Sequence, residues 1–431
     1  MHVFHLAGER IKSFKPHQAS VSDIEMDSTA DFVATASIDG EKLIAIAPNL
    51  LIGQVPGQVV VHSLSTTESY VFDMKRPIRT VSLEPHFAKK TSRAFVCGGM
   101  AGTLVLREKG WLGHKETVLH SGEGPIGHVR WREHFIAWAN DFVSSLVPLP
   151  CYYSSTVYYI PQGVKIYDTQ SQSRITFIDR PPDSPRADLF KCTLYWQDDS
   201  TLLIAWADHI KVARIRSRPS GGPKLSPWIV EVTAAFQLDC MISGILPHPV
   251  FPQHLPPENG ATTFTVTLTS FLILAYEPPD TYGDEMTDDR ARQARKTAER
   301  PELRIISRSG EELTADALSV TNYQAWGCND YLLGEVSTDG ERCYVVASPK
   351  DVVLVRPRDR KDHIAWLVEH KRYEEALDEV EKLGEDERAS ETPDSRLDPV
   401  QIGARYIKHL IGEGSPTLTF LVDTLPISVI K

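Results

Sequence analysis

Along this chain, apolar and polar positions alternate over short runs, and the runs recur in sets of three. Each set holds a short alternating strand, a second strand ending in small residues, a tight break, and a third strand rich in valine and isoleucine. The sets are SVSDIEMD, FVATAS and VVVHSL near 20–64; PIRTVSLEP, AFVCGG and TLVLRE near 77–108; GPIGHVRW, FIAWAND and GVKIYD near 124–168; and KCTLYW, LLIAWAD and IKVARIR near 191–216. Their β-branched content, period of two and bounding turns predict strands rather than buried helices. Two less regular sets follow. One is CMISGIL, TFTVTLTSFLILAYE and ELRIISR over 240–308; the other is ALSV, YLLGEV, RCYVVAS and DVVLVRP over 317–357.

In the first four sets the second strand turns at Ala36, Gly98, Trp138 and Trp206, spaced by about 62, 40 and 68 residues. Two interruptions, 41–57 and 142–161, account for the long intervals. Without them the spacing is about 45, 40 and 48 residues, the period of a four-stranded propeller blade. Residues 2–14 predict two strands around Gly8, the outer half of a blade whose inner half lies upstream. The expected fold over 1–357 is therefore an all-β propeller of WD40-like blades, seven with the first incomplete, carrying loop insertions at 41–57 and 142–161.

Beyond Pro357 the apolar period changes to about 3.6. Ile364, Leu367 and Val368, then Tyr373, Ala376, Leu377, Val380 and Leu383, form stripes on two short helices, the second stopped by Gly384. Asp398 and Pro399 open a third, with Ile402, Tyr406, Ile407, Leu410 and Ile411 as its stripe. Helical hairpins after a propeller predict the start of an α-helical solenoid over 358–431, and three helices do not complete such a core, so the chain is expected to end inside a larger protein.

Composition narrows the function. Hydrophobic residues at 42% and charged residues at 24% are those of a folded globular chain. A net charge of -11 leaves no electrostatic footprint for nucleic acid. Cysteines at 97, 151, 192, 240, 328 and 343 are too dispersed for zinc knuckles or a dense disulfide framework, which points to a reducing compartment. The opening MHVFHLAGERIKSF lacks the layout of a secretory signal, and no run of about 18 apolar residues exists to span a bilayer. Membrane association is expected to be peripheral only.

Candidate chemistry is weak throughout. CGGMAG at 97–102 is followed by Thr103 and Leu104 where a phosphate loop needs lysine and a hydroxyl, so it predicts a strand turn. His114, His120, His128 and His134 lie near one another in sequence without HxxxH or HExxH spacing, and no GxSxG elbow is present. No catalytic, cofactor-binding or metal residue is assigned, and no cofactor. Trp138 and Trp206 occupy equivalent repeat positions, which favours blade packing over interface anchoring. In the loop 284–300, Arg292, Arg295 and Lys296 face only Met286 and three alanines, too little apolar area for membrane insertion.

The blocks RPIRTVSLEP, CGGMAGTLVLREKGWLGHKETVLHSGEGPIGHVRWREHFIAWAND, GVKIYDTQSQSRITFIDRPPDSPRADLF and LLIAWADHIKVARIR are long and specific. Through them the chain resembles the vacuolar protein sorting-associated protein 41 family, subunits of the HOPS tethering complex, from about Ile11 to Leu410 and most densely over 76–218. The resemblance implies an N-terminal propeller, a long α-solenoid and a C-terminal RING domain. It also implies a non-catalytic tethering role in vesicle fusion with the lysosome or vacuole and in endosomal, autophagic and adaptor-dependent transport. Implied partners are other HOPS subunits, a late-endosomal or lysosomal small GTPase and the third adaptor complex. The implied location is cytoplasmic, peripheral on late endosomes and lysosomes or vacuoles.

Departures from the family pattern fall at both interruptions, where SIDG would run into VVVHSL and AWAND into GVKIYD. Val143–Ser144 can be encoded GTAAGT and Pro161–Gln162 CCACAG, a splice donor and an acceptor, which gives 142–161 the character of a translated intron; 41–57 is a second candidate. After Gly412, SPTLTFLVDTLPISVIK replaces a helical continuation. Two other readings compete with a HOPS subunit. A scaffold subunit of a coat or ciliary transport assembly shares the architecture, and a propeller enzyme would need convergent ionisable groups in an axial pocket.

Overall fold

Strands whose residues are buried from end to end organise the molecule: FVATAS, FVCGG, FIAWAN and TLLIAW expose almost nothing. Each is flanked on both sides by sheet partners, so a continuous apolar run is what its position demands. The computed structural model describes residues 2–4, 9–37, 57–111, 113–140, 162–180, 189–218, 226–248, 270–278, 298–338, 341–356, 360–381 and 398–413. Both expected insertions, apart from Gly57, fall outside them, as do Gly8, residues 284–297 and the tail from 414.

The strands number β1 (His2–Phe4), β2 (Arg10–Ser13), β3 (Val21–Met26), β4 (Phe32–Ser37), β5 (Gln58–Ser63), β6 (Ser69–Asp73), β7 (Ile78–Leu83), β8 (Phe95–Gly99), β9 (Leu104–Gly110) and β10 (Gly113–His120). They continue with β11 (Ile126–Arg132), β12 (Phe135–Asn140), β13 (Gly163–Asp168), β14 (Ser173–Asp179), β15 (Thr193–Trp196), β16 (Thr201–Trp206), β17 (His209–Ser217) and β18 (Trp228–Gln237). The last are β19 (Met241–His248), β20 (Ser270–Tyr276), β21 (Glu302–Ser307), β22 (Glu312–Ala317), β23 (Leu332–Thr338), β24 (Glu341–Ala347) and β25 (Val352–Val355).

Five four-stranded sheets, β3–β6, β7–β10, β11–β14, β15–β18 and β19–β22, follow one another in strict chain order, with a three-stranded sixth, β23–β25. Among the described residues these make the six complete or near-complete blades of a WD40-type propeller. The separate sheet β1–β2 is the strand pair expected at 2–14, and Lys12 fastens it to the first blade through the carbonyls of Ser63, Leu64 and Thr66 at 3.1, 3.2 and 2.9 Å. Blade faces stack on apolar layers. Phe32, Ala34, Val59 and Val61 of the first blade meet Val81, Leu83 and Phe95 of the second. Val96 and Leu104 meet Ile126, Ile136 and Trp138, and Leu203, Ile210 and Val212 meet Ile242, Phe271 and Ile273.

One expected strand is absent. ALSV does not belong to the sixth sheet: Ala317 closes β22, and the Leu318 N–H donates to the Pro301 carbonyl at 2.9 Å. Val320 then folds back on Leu318 at 3.1 Å, and two 3₁₀ turns follow at Tyr323–Ala325 and Cys328–Asp330. Leu318 and Val320 are buried as packing residues of a connection, which is why their apolar character resembled a strand.

The ladders close tightly at the roots of both interruptions. Ser37 pairs with Gln58, and Asn140 pairs with Gly163. Deleting 142–161 therefore leaves Asp141 and Gln162 as a hairpin loop between residues already paired, and deleting 41–57 sets Gly40 in the place of Gly57 just before Gln58. Because loop closure depends only logarithmically on length, either deletion is expected to keep the melting temperature within about 3 °C and to maintain or raise soluble yield. A fall beyond about 10 °C on thermal melting would show that these residues are integral to the blades.

The chain divides into two compact units, Met1–Glu335 with Val345–Val353, and Val336–Tyr344 with Leu354–Lys431. The second contains α1 (Arg360–Glu369), α2 (Tyr373–Glu381) and α3 (Pro399–Glu413). Asp398 caps α3 by accepting the Val400 N–H at 2.9 Å. Ile364, Leu367, Val368, Ala376, Val380 and Ile402 form the helical core as their spacing predicts. Ile411 departs from the predicted stripe and is 62% exposed, since Ile402 and Leu410, two helical turns apart, carry the buried line.

Candidate interaction surface

The innermost strand of every blade has one edge paired within its own sheet and one edge bare, and buried bare amides need acceptors. The sequence supplies them at alternate positions: Asp23 and Glu25 on β3, Thr80 and Ser82 on β7, His128 and Arg130 on β11. Asp23 accepts the Val81 N–H at 3.0 Å and the Thr80 hydroxyl at 2.6 Å. Glu25 accepts the Leu83 N–H at 2.7 Å and the Ser82 hydroxyl at 2.9 Å. The same two hydroxyl oxygens accept from the Val129 and Trp131 amides at 3.0 and 2.9 Å. His128 Nδ1 accepts the Leu194 N–H at 2.9 Å, and the Arg130 carbonyl accepts the Trp196 indole N–H at 3.2 Å. Two hydrogen-bonded rows thus cross four blades.

Charge completes the arrangement. The Arg130 guanidinium lies 3.3 Å from Asp23 Oδ2. Burial opposes its charge, yet Asp23 and Glu25 hold its pKa above the ordinary value. Burial pushes Glu25 up to about 7, against the pull of Arg130. Burial, then Arg130 and Lys191, depress His128 well below its usual value, so the imidazole stays neutral and keeps the lone pair that Leu194 uses. Ionisable groups do converge on the inner strands, as an axial enzyme pocket would require, but the Asp23 and Glu25 carboxylates, His128 Nδ1 and the Arg130 guanidinium are engaged in bonds within the propeller.

A second buried polar cluster closes the third blade. Lys165, 1% exposed, donates to Asn140 Oδ1 at 2.6 Å, pairs with Glu123, and lies over the Phe177 ring at 5.0 Å. Burial lowers its pKa while Glu123 opposes the shift. Asn140 Nδ2 donates to the Glu123 carbonyl at 2.5 Å, tying the root of the β12–β13 hairpin to the preceding loop.

The residues singled out in the sequence take structural places. Trp138 and Trp206 are both buried, but not at equivalent rungs: Trp138 stands opposite Lys165, whereas Lys211 of the next blade stands opposite Ile204, two positions before Trp206. A shift of two preserves the face, so both indoles stay inside. Gly98 and Gly99 of CGGMAG permit close packing, since a Cβ at Gly98 would lie 2.9 Å from Ile126 and one at Gly99 would lie 2.1 Å from the Pro77 carbonyl. His114 is exposed with its ring edge-to-face on Phe72, His120 is buried 5.5 Å from the Trp138 ring, and His134 packs on Phe135 and Trp228. Among the described residues no group of three or more His, Cys, Asp or Glu is placed to hold a metal ion, and the five described cysteines are buried free thiols. No helix among them is long and apolar enough to cross a membrane.

Sequence reasoning missed the inter-blade rows. Their trace is the recurring polar–apolar–polar triplet DIE, TVS, HVR at one point of successive repeats. It also missed Trp111, whose side chain stands 98% exposed in the turn between β9 and β10.

The architecture is that of a propeller scaffold, with polar groups of its inner strands invested in its own blades. The sequence model of the Vps41 β-propeller family, described as "Vps42 beta-propeller", matches residues 1–147 and 156–356, and the chain belongs to that family. The match omits 148–155, inside the second interruption, and runs through the first. The chain is 34% identical over 433 residues to a tomato (Solanum lycopersicum) protein named "Vacuolar protein sorting-associated protein 41 homolog", covering 96% of this chain and 38% of the relative. Homologues of the same name from Arabidopsis thaliana and Homo sapiens are 36% and 30% identical over 95% and 96% of this chain. The chain spans about two fifths of the length of these relatives, 37% and 40% of the latter two.

Proposed function

We propose that this chain serves as the propeller-bearing part of a non-catalytic HOPS tethering subunit, acting in vesicle fusion with the lysosome or vacuole and in endosomal, autophagic and adaptor-dependent transport. Membership of the Vps41 propeller family, over a match that includes every described blade, is the observation that carries this reading. On it, 1–357 is the recognition domain with insertions at 41–57 and 142–161, and 358–431 opens the α-solenoid that joins the complex. The partners are other HOPS subunits, a late-endosomal or lysosomal small GTPase and the third adaptor complex. The chain is cytoplasmic and peripheral on those membranes through its protein partners, a reading supported by its net charge of -11.

Purified chain incubated with late-endosomal and lysosomal small GTPases on beads is expected to bind one of them more strongly in its GTP state than in its GDP state. Retention indifferent to nucleotide, or absent with all of them, would remove GTPase recruitment from the account. A coat or ciliary assembly is the alternative, and recovery of its subunits in place of HOPS subunits would favour it.

A further inference from the structure

The turn carrying Trp111 forms one wall of a groove on the second blade. The groove is lined by Glu68 and Tyr70 of the first blade's outer hairpin, by the segment 88–93 between β7 and β8, and by Lys109, Gly110 and Trp111. Its walls are joined, because the Lys109 N–H donates to the Ser92 carbonyl at 2.7 Å. On the other side Arg93 donates to the Tyr70 hydroxyl at 3.0 Å and stacks over the Tyr70 and Phe32 rings at 5.9 and 5.4 Å.

Four cations line this groove in a chain whose net charge is -11. Lys90 is paired with Glu84 at 3.0 Å, and Arg93 lies 3.9 Å from Glu68. Lys89 and Lys109 are exposed, and neither ammonium has a hydrogen-bond or ion-pair partner among the described residues. The groove therefore presents surplus positive charge beside an indole that the fold leaves almost wholly uncovered. An exposed tryptophan is the kind of anchor that dominates interfaces, and lysines around it select the sign of the partner.

We propose that this groove is a docking site for an extended acidic peptide segment of a partner protein. Carboxylates of the segment meet Lys89 and Lys109, and an apolar residue of it packs on Trp111. A concave surface with one exposed indole offers a flat bilayer too little apolar contact for stable insertion, whereas a narrow chain can reach both lysines and the ring together. The proposal concerns a surface that the tethering assignment does not specify, and it stands on the groove's own chemistry.

The test is fluorescence anisotropy with the 431-residue chain and a labelled peptide of about a dozen Asp and Glu residues around a central leucine. The charge-reversed peptide and phosphatidylserine vesicles are run beside it. The acidic peptide is expected to bind with micromolar affinity that falls as salt rises. K89E/K109E is expected to weaken it at least about tenfold, W111A about fivefold, with the melting temperature of both variants unchanged. No binding at millimolar peptide, equal binding by the variants, or equal binding of the charge-reversed peptide would overturn the proposal. So would vesicle binding lost in these variants while peptide binding persisted, because the groove would then be a lipid-binding surface.

Discussion

Asp23→Ala is expected to lower the stability of the propeller by about 3 kcal/mol, read as a lower urea midpoint by tryptophan fluorescence. The loss has three parts: the Val81 N–H at 3.0 Å loses a charged acceptor, the Thr80 hydroxyl at 2.6 Å loses its own, and Arg130 loses the carboxylate 3.3 Å away. Asp23→Asn retains an acceptor for the amide but not the charge, and is expected to cost about half as much. Glu25, the carboxylate that opens the second row, gives this region a pH signature. Its folded pKa of about 7 stands above the ordinary 4.5, so its contribution is fullest below about pH 4.5 and is lost as pH rises through about 7. Glu25→Gln cannot ionise and is expected to flatten the stability profile across that window. An Asp23→Ala midpoint equal to wild type would show that the rows do not hold the blades together, and a Glu25→Gln profile parallel to wild type would show that Glu25 titrates alike in the folded and unfolded chain.

Lys165→Ala is the second large effect, about 3–4 kcal/mol, because it leaves the Asn140 carbonyl oxygen and the Glu123 carboxylate without their buried donor and opens a cavity. Lys165→Met restores the volume without the charge. It is expected to cost about 1–2 kcal/mol, the smaller figure reflecting Glu123, whose side chain is 30% exposed and can turn to water. Denaturation of the two variants side by side separates the parts. Equal losses would place the whole effect in polar pairing, and an alanine variant as stable as wild type would remove the cluster from the account.

What the sequence made legible follows from burial. The middle strands β4, β8, β12 and β16 are covered throughout, so FVATAS and its counterparts announce themselves as apolar runs. The outer strands β6 and β22 are absent from the sequence-predicted sets, because they face water: β22, ELTADA, is exposed at all its positions, and β6, SYVFD, at all but one. Their alternation carries no apolar contrast, and only the sheet ladder reveals them. Innermost strands were found, but their purpose was not, because the partners are distant in sequence; Asp23 and Arg130 are 107 residues apart. The triplets DIE, TVS and HVR held the information as a repeat of polarity, which hydrophobic periodicity does not weigh. Trp111 escaped for the opposite reason, since nothing in GWLGHK separates an indole that packs from one that stands clear.

The role proposed for this chain is that of the recognition end of a HOPS subunit. It is tested most directly by affinity purification of the 431-residue chain beside a form extended with the remainder of one of its curated relatives, under identical expression. The account predicts that the extended form recovers the other HOPS subunits, while this chain recovers a GTPase or adaptor partner with little of the complex. Recovery of coat or ciliary transport subunits by the extended form, or of no vacuolar sorting partner at all, would contradict it.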